Sequence, residues 1–126
     1  MNIPEELRYS SDHEWARLEG ANVRIGITDF AQDNLGDVVF VQLPEVGTAV
    51  EANASFSEVE STKSVSDIYA PVGGTIVEVN AELESTPELL NRDPYGEGWI
   101  CVIETSDPSE LDSLLDAAKY RALITD

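Results

Sequence analysis

One cysteine, one histidine and two lysines are all that this 126-residue chain carries of the side chains most used for disulfides, metal binding and nucleophilic chemistry. Cys101 cannot form an internal bridge. It stands in the apolar run Trp99-Ile100-Cys101-Val102-Ile103, where a small buried hydrophobe suited to a reducing compartment is expected. One His and one Cys exclude a zinc site built from soft ligands. No acidic run has the glycine and closing glutamate of a calcium loop, and no glycine-rich phosphate loop is present. The longest unbroken apolar run is five residues, against about 20 for a membrane-spanning helix. Met1-Asn2-Ile3-Pro4-Glu5-Glu6 lacks the basic flank and apolar stretch of a signal peptide and the Arg-rich pattern of a transit peptide. A soluble, cytoplasmic protein is expected.

Positive charge is equally scarce. With 7 basic against 25 acidic residues the net charge is -18, so the surface repels phosphate backbones and anionic membranes instead of releasing their counterions. Partners with basic surfaces are favoured. Solubility or adaptation to high salt explains the same composition.

What remains is an ordinary globular composition. At 42% hydrophobic, a single domain over residues 1–126 can bury about two thirds of its unfolded surface without metal or disulfide. His13 to Glu19 and Val23 to Ile27 alternate around Gly20-Ala21-Asn22, the pattern of a hairpin. Thr28 can cap a short helix over Asp29–Leu35, with Gly36 as its stop. Val38–Leu43, Thr75–Val79 and Trp99–Glu104 read as strands. Short strands at close spacing, with turn signals between them, predict a mainly β fold, a barrel or sandwich.

The C-terminal segment, about 107–124, differs. Asp107-Pro108-Ser109-Glu110 combines an N-cap residue, proline at the first helical position and an acid at the third. Leu111, Leu114, Leu115, Ala118, Ala122 and Leu123 then recur near a helical period, predicting an amphipathic helix packed on the β core. A faint internal echo pairs Val41-Gln42-Leu43 and Gly47-Thr48-Ala49-Val50 with Val77-Glu78-Val79 and Asn80-Ala81-Glu82-Leu83, each read as strand, turn, strand. The two halves flank Lys63.

Lys63 sits alone in the acidic stretch Ser57-Glu58-Val59-Glu60-Ser61-Thr62-Lys63-Ser64-Val65-Ser66-Asp67, followed by Ala70-Pro71-Val72-Gly73-Gly74. A Schiff-base or general-base lysine needs a desolvated site or a neighbouring cation. The neighbours here are acids, so catalysis by the free amine is not expected. Acylation by an outside enzyme meets no such objection. The alternative is an ordinary solvated lysine on a turn. The close acid pairs Glu58/Glu60 and Glu82/Glu84 read as solvated strand faces, not as an acid–base dyad.

Glu60-Ser61-Thr62-Lys63-Ser64-Val65-Ser66-Asp67, with Ile68-Tyr69-Ala70-Pro71 and Gly74 downstream, resembles the lipoyl-attachment signature of the glycine cleavage system H-protein family. His13-Glu14-Trp15, Gly26-Ile27-Thr28-Asp29, Ala31-Gln32, Leu35-Gly36-Asp37 and Leu43-Pro44-Glu45-Val46-Gly47 continue the resemblance. So do Pro87-Glu88-Leu89-Leu90-Asn91, Pro94-Tyr95, Gly98-Trp99, Glu110-Leu111 and Leu114-Leu115. The resemblance implies a barrel-sandwich hybrid of the lipoyl- and biotinyl-carrier kind, with a carrier core at about 22–104. A short helix near 28–35 and the C-terminal helix would complete it.

It further implies a non-catalytic shuttle carrying lipoate in amide linkage to Lys63. Such a shuttle receives the aminomethyl group of glycine from a PLP-dependent glycine decarboxylase and passes it to a folate-dependent aminomethyltransferase. Dihydrolipoyl dehydrogenase then reoxidises it. Tethering keeps the carried group at high effective concentration. By the same resemblance Glu60 and Asp67 help the lipoyl-attaching enzyme recognise the hairpin, and Glu14 contacts the docked, loaded arm. Asn34 stands where some relatives have histidine, and it offers no titratable contact. His13 is read as structural or surface, and a monomer is the default.

Other readings remain open. A related lipoyl-relay protein donating lipoate to other enzymes would look alike. Biotinyl carriers usually place Met on both sides of the lysine, where Thr62 and Ser64 stand here. Lipoyl domains of 2-oxo acid dehydrogenases usually show Asp-Lys-Ala and lack the His-Glu-Trp and C-terminal segments. An interaction module without cofactor is the remaining class.

Overall fold

The computed structural model describes residues 2–105 and 107–125. The chain runs β1 (Arg8–Tyr9), β2 (Glu14–Glu19), β3 (Asn22–Ile27), α1 (Asp29–Leu35), β4 (Val38–Gln42), β5 (Ala49–Val50), β6 (Ser55–Ser61), β7 (Val65–Tyr69) and β8 (Gly74–Val79). Then follow α2 (Glu82–Ser85), α3 (Leu89–Arg92), β9 (Cys101–Thr105), a 3₁₀ segment (Pro108–Ser113) and α4 (Ala117–Ile124). Two antiparallel sheets form a sandwich, in the orders β1-β2-β3-β9-β8-β5 and β4-β6-β7. The mainly β architecture is therefore the expected one.

Alternation builds the main core. Val23, Ile25 and Ile27 on β3 project to one face and meet Val41, Val59, Ile68, Ile76 and Ile103 from the other strands. Each is buried. Cys101 is buried among them, and burial pushes its thiol up to about 12, which leaves it an inert hydrophobe.

A second, aromatic cluster lies on the opposite face of β2. Ile3 and Leu7 from the N-terminal segment, Tyr9, Trp15, and Ala117 and Tyr120 from α4 pack together there. Trp15 Nε1 donates to Pro94 O at 2.8 Å. The ring lies directly over its cross-strand partner Gly26, where a Cβ would come within 2.6 Å of Nε1.

Local signals explain α1. The Thr28 hydroxyl accepts from Ala31 N, and Gly36, at φ 78°, donates its N–H to Gln32 O and ends the helix. The β2–β3 hairpin also forms as expected, in register from Glu14↔Ile27 to Glu19↔Asn22.

Two expectations are corrected. The C-terminal amphipathic helix is not continuous. Leu115 exchanges both backbone hydrogen bonds with Tyr9 at 2.8 Å, an isolated bridge that holds the chain extended between the 3₁₀ segment and α4. Each piece has its own cap, Asp107 accepting from Ser109 N and Asp116 accepting from Lys119 N. The internal echo also fails in its second half. After β8 the buried Asn80 amide donates to Glu97 O and Trp99 O at 2.7 and 2.8 Å. The chain then enters α2, with Leu83 in the core, instead of a strand.

Candidate functional site

Lys63 occupies the turn of the β6–β7 hairpin, whose last paired residues are Glu60 and Val65. The turn is held tightly by its own short polar side chains. Ser61 N donates to Ser64 O at 2.8 Å, and Ser61 Oγ accepts from Lys63 N and Ser64 N, each at 3.1 Å. This is a hydroxyl standing in for a backbone acceptor, as Ser does in turns. Thr62 N donates to Asp37 O at 3.0 Å, which ties the tip to the segment between α1 and β4.

The lysine side chain is exposed. None of the salt bridges among the described residues involves it. Its stem lies over Gly36, where a Cβ would come within 3.1 Å of Lys63 Cε. Gly36 thus does two things: its positive φ closes α1, and its missing side chain leaves room for the lysine.

Beside the turn runs an open groove of about 310 Å³. One wall is Ser64, Ser66, Asp67, Ile68 and Tyr69 on the hairpin. The other is Ser11, Asp12 and His13 before β2, with Ala31, Asn34 and Leu35 on α1. Apolar Ile27, Ala31, Leu35 and Ile68 alternate there with polar groups that can accept hydrogen bonds. A larger depression of about 670 Å³, lined by Glu45, Glu51, Phe56, Glu58 and Asp67 among others, opens elsewhere and is not lined by residues 61–64. Volume alone does not mark the site here; proximity to the lysine does.

The other residues expected at the site fall into three groups. Asp67 and Asn34 both line the groove. Glu60 is exposed on β6, directly opposite Val65. Glu14 is different: at 1% exposure its carboxylate is turned into the protein. It accepts from Ser10 Oγ at 2.5 Å and from Tyr69 N at 3.3 Å, so it links the loop before β2 to the unpaired edge of β7. Burial raises its pKa to about 7 despite these two hydrogen bonds, which favour the carboxylate. In this conformation Glu14 holds the groove walls in register and does not face into the groove.

Sequence reasoning missed Tyr120. Its hydroxyl lies 2.8 Å from His13 Nδ1 and 2.7 Å from Thr28 Oγ1. It thereby braces a groove residue and the cap of α1 from a helix 92 residues further along the chain. No local pattern announces a contact at that separation. His13 packs between Phe30 and Tyr120, and burial lowers its pKa. Among the described residues no group of His, Cys, Asp and Glu is arranged to hold a metal ion, and no helix is long and apolar enough to cross a membrane.

An exposed lysine on a pinned hairpin, next to a part-apolar groove, fits a long acyl group joined through an amide. Comparison with known proteins gives the family. Residues 7–126 match the family model described as Glycine cleavage H-protein. The chain is 59% identical over 126 residues to the glycine cleavage system H protein of Geobacillus thermodenitrificans, covering 100% of this chain and 99% of the relative. It is 61% identical over 121 residues to that of Symbiobacterium thermophilum, covering 96% and 94%. The crystal structure of the glycine cleavage system H protein from Mycobacterium marinum superposes with a TM-score of 0.90 at 45% identity, covering 98% of this chain and 100% of that one. The chain therefore belongs to the glycine cleavage H-protein family, whose members are lipoate-carrying shuttles and not catalysts.

Proposed function

We propose that Lys63 is the residue through which this shuttle carries its lipoyl group. The observation that carries the reading is the exposed side chain of Lys63 on a turn fixed by four backbone and hydroxyl hydrogen bonds. When bound, lipoate supplies a cyclic disulfide that takes up the aminomethyl group of glycine and is regenerated by oxidation. Conversion of the ammonium to an amide removes a charge that would be costly to bring into a buried active site.

The chain's own residues position and shelter. The hairpin holds the base of the arm still, so only the side chain swings. The groove beside it offers the half-buried Ala31 and Tyr69 and the edges of Leu35 and Ile68 to an aliphatic chain, and Ser66 and Asp67 to a polar or cationic head. Glu14 ties one wall to the other through Ser10 and Tyr69, and Tyr120 braces the wall that carries His13 and α1. Asp67 is the acid in the groove suited to a carried amine, with Asp12 opposite it.

Its partners are the PLP-dependent decarboxylase that loads the arm, the folate-dependent aminomethyltransferase that unloads it, the dihydrolipoyl dehydrogenase that reoxidises it, and the enzyme that attaches lipoate. Transient pairing of a monomer in the cytoplasm, steered by the -18 net charge, suits this traffic. Intact mass spectrometry after treatment with a lipoate–protein ligase, lipoate and ATP tests the reading. One lipoyl group is expected on the wild type and none on Lys63→Arg; an unmodified wild type under active ligase overturns it.

A further inference from the structure

The three-stranded sheet has an unusual outer face. Phe40 on β4 pairs with Glu60 on β6, and Glu60 pairs with Val65 on β7. Side chains directly opposite one another share a face, so the three form one row, the last across the sheet before the turn that bears Lys63. Phe40 is 49% exposed and Val65 57% exposed. The register slips between Val38 and Phe40. This irregularity lets Val38 and Val41 remain in the core while Val39, 54% exposed, and Phe40 both face outward, the re-aiming of side chains that bulges produce. The next row is Gln42, Glu58 and Asp67, and β4, β6 and β7 contain no lysine or arginine.

An exposed aromatic with one exposed valine beside it and a second across Glu60, on strands that hold carboxylates and no basic residue, matches a cationic apolar partner. An arginine that stacks on Phe40 while pairing with Glu60 satisfies both features at once. We propose that this row is the docking surface for the enzyme that acylates Lys63, and that this enzyme presents an apolar pocket rimmed by arginine or lysine. The inference rests on the reading that Lys63 is acylated. The choice of partner follows from reach. Enzymes that act on the far end of a loaded arm can meet the protein anywhere up to the length of the tether, whereas the acylating enzyme must bring its own reacting atoms to Lys63 Nζ. It therefore covers the residues next to the turn.

The test is acylation kinetics of the unmodified chain with a lipoate–protein ligase, lipoate and ATP. Phe40→Ser combined with Val65→Thr should lower kcat/KM about tenfold or more, chiefly through KM, the size expected when a central anchor is truncated. Val46→Ser, which removes an equally exposed valine outside this sheet, should change nothing. Wild-type kcat/KM should fall steeply with added salt. The double variant, loaded to completion with excess ligase, should still accept the aminomethyl group from the decarboxylase at the wild-type rate. A double variant acylated within about twofold of wild type overturns the proposal. So does a defect confined to the decarboxylase step, which would assign the face to that enzyme. Failure of the wild type to take up lipoate at all would instead count against Lys63 as the attachment site.

Discussion

The hairpin tip and the Tyr120 cluster lie on opposite sides of one groove, and they are made rigid by different physics. The tip is exposed; it is held by the hydrogen bonds that the Ser61 hydroxyl accepts from Lys63 N and Ser64 N and by the Thr62 to Asp37 link. The cluster is held by packing, with Tyr9 stacked on Tyr120 at 4.7 Å between ring centroids and Trp15 fully buried. A site that must meet several partners needs an exposed, fixed point, which packing alone cannot supply because it buries what it fixes. The fold separates the two requirements by placing rigidity behind the groove and accessibility in front of it.

That contrast can be broken from either side. The largest effect should come at the tip: Lys63→Arg abolishes lipoyl addition and glycine decarboxylation while leaving the thermal melt unchanged. The same substitution at Lys119, an exposed lysine on α4, leaves loading intact by intact mass. From the other side, Trp15→Ala should cost about 3–5 kcal/mol of stability in urea unfolding. The residual folded protein should still take up lipoate at Lys63.

Glu14 sharpens the comparison, since it joins the two regions. Its folded pKa, about 7, lies above its ordinary value of 4.5. The folded state therefore binds the proton more tightly, and the stability this confers is full below about pH 4.5 and lost as pH rises through 7. His13 is lowered by burial and acts with the opposite sign, its contribution being lost as pH falls. The difference between wild type and Glu14→Gln isolates the carboxyl. Unfolding at pH 5 and pH 8 should show the variant gaining on wild type by about 2–3 kcal/mol over that span. A flat difference would mean that Glu14 titrates like a solvated acid.

The smallest effect belongs to Gly36→Ala, which forces a side chain to φ 78° and crowds the lysine stem. About 1–2 kcal/mol of stability should be lost, because φ 78° with ψ -156° is a combination essentially confined to glycine, with a slower rate of loading measured by ligase kinetics.

Much of this was readable from residues close together in the chain. Thr28 and Gly36 delimit α1, the Gly20 turn closes β2 on β3, and Ser61 to Ser64 around Lys63 make a turn between strands. What was not readable depends on distant contacts. Glu14, Trp15 and Ala16 are all buried, so the first half of β2 departs from the alternation that its sequence suggests. The reason is that Ala16 faces the main core while Trp15 faces the second cluster, built from both ends of the chain. Strand β1 breaks the C-terminal helix through the Tyr9–Leu115 bridge. Phe40 reads as a core residue in Val38-Val39-Phe40-Val41, and only the slip in register turns it out to solvent.

The link from Thr62 to Asp37 has one further effect. With its root clamped, a group carried on Lys63 would gain no reach through drift of the loop, and the shell its tip could sweep would be set by its own covalent length. Every docking enzyme must then solve the same geometric problem. A partner whose catalytic pocket is deeper than that length could be served only if the whole shuttle seats more closely against it.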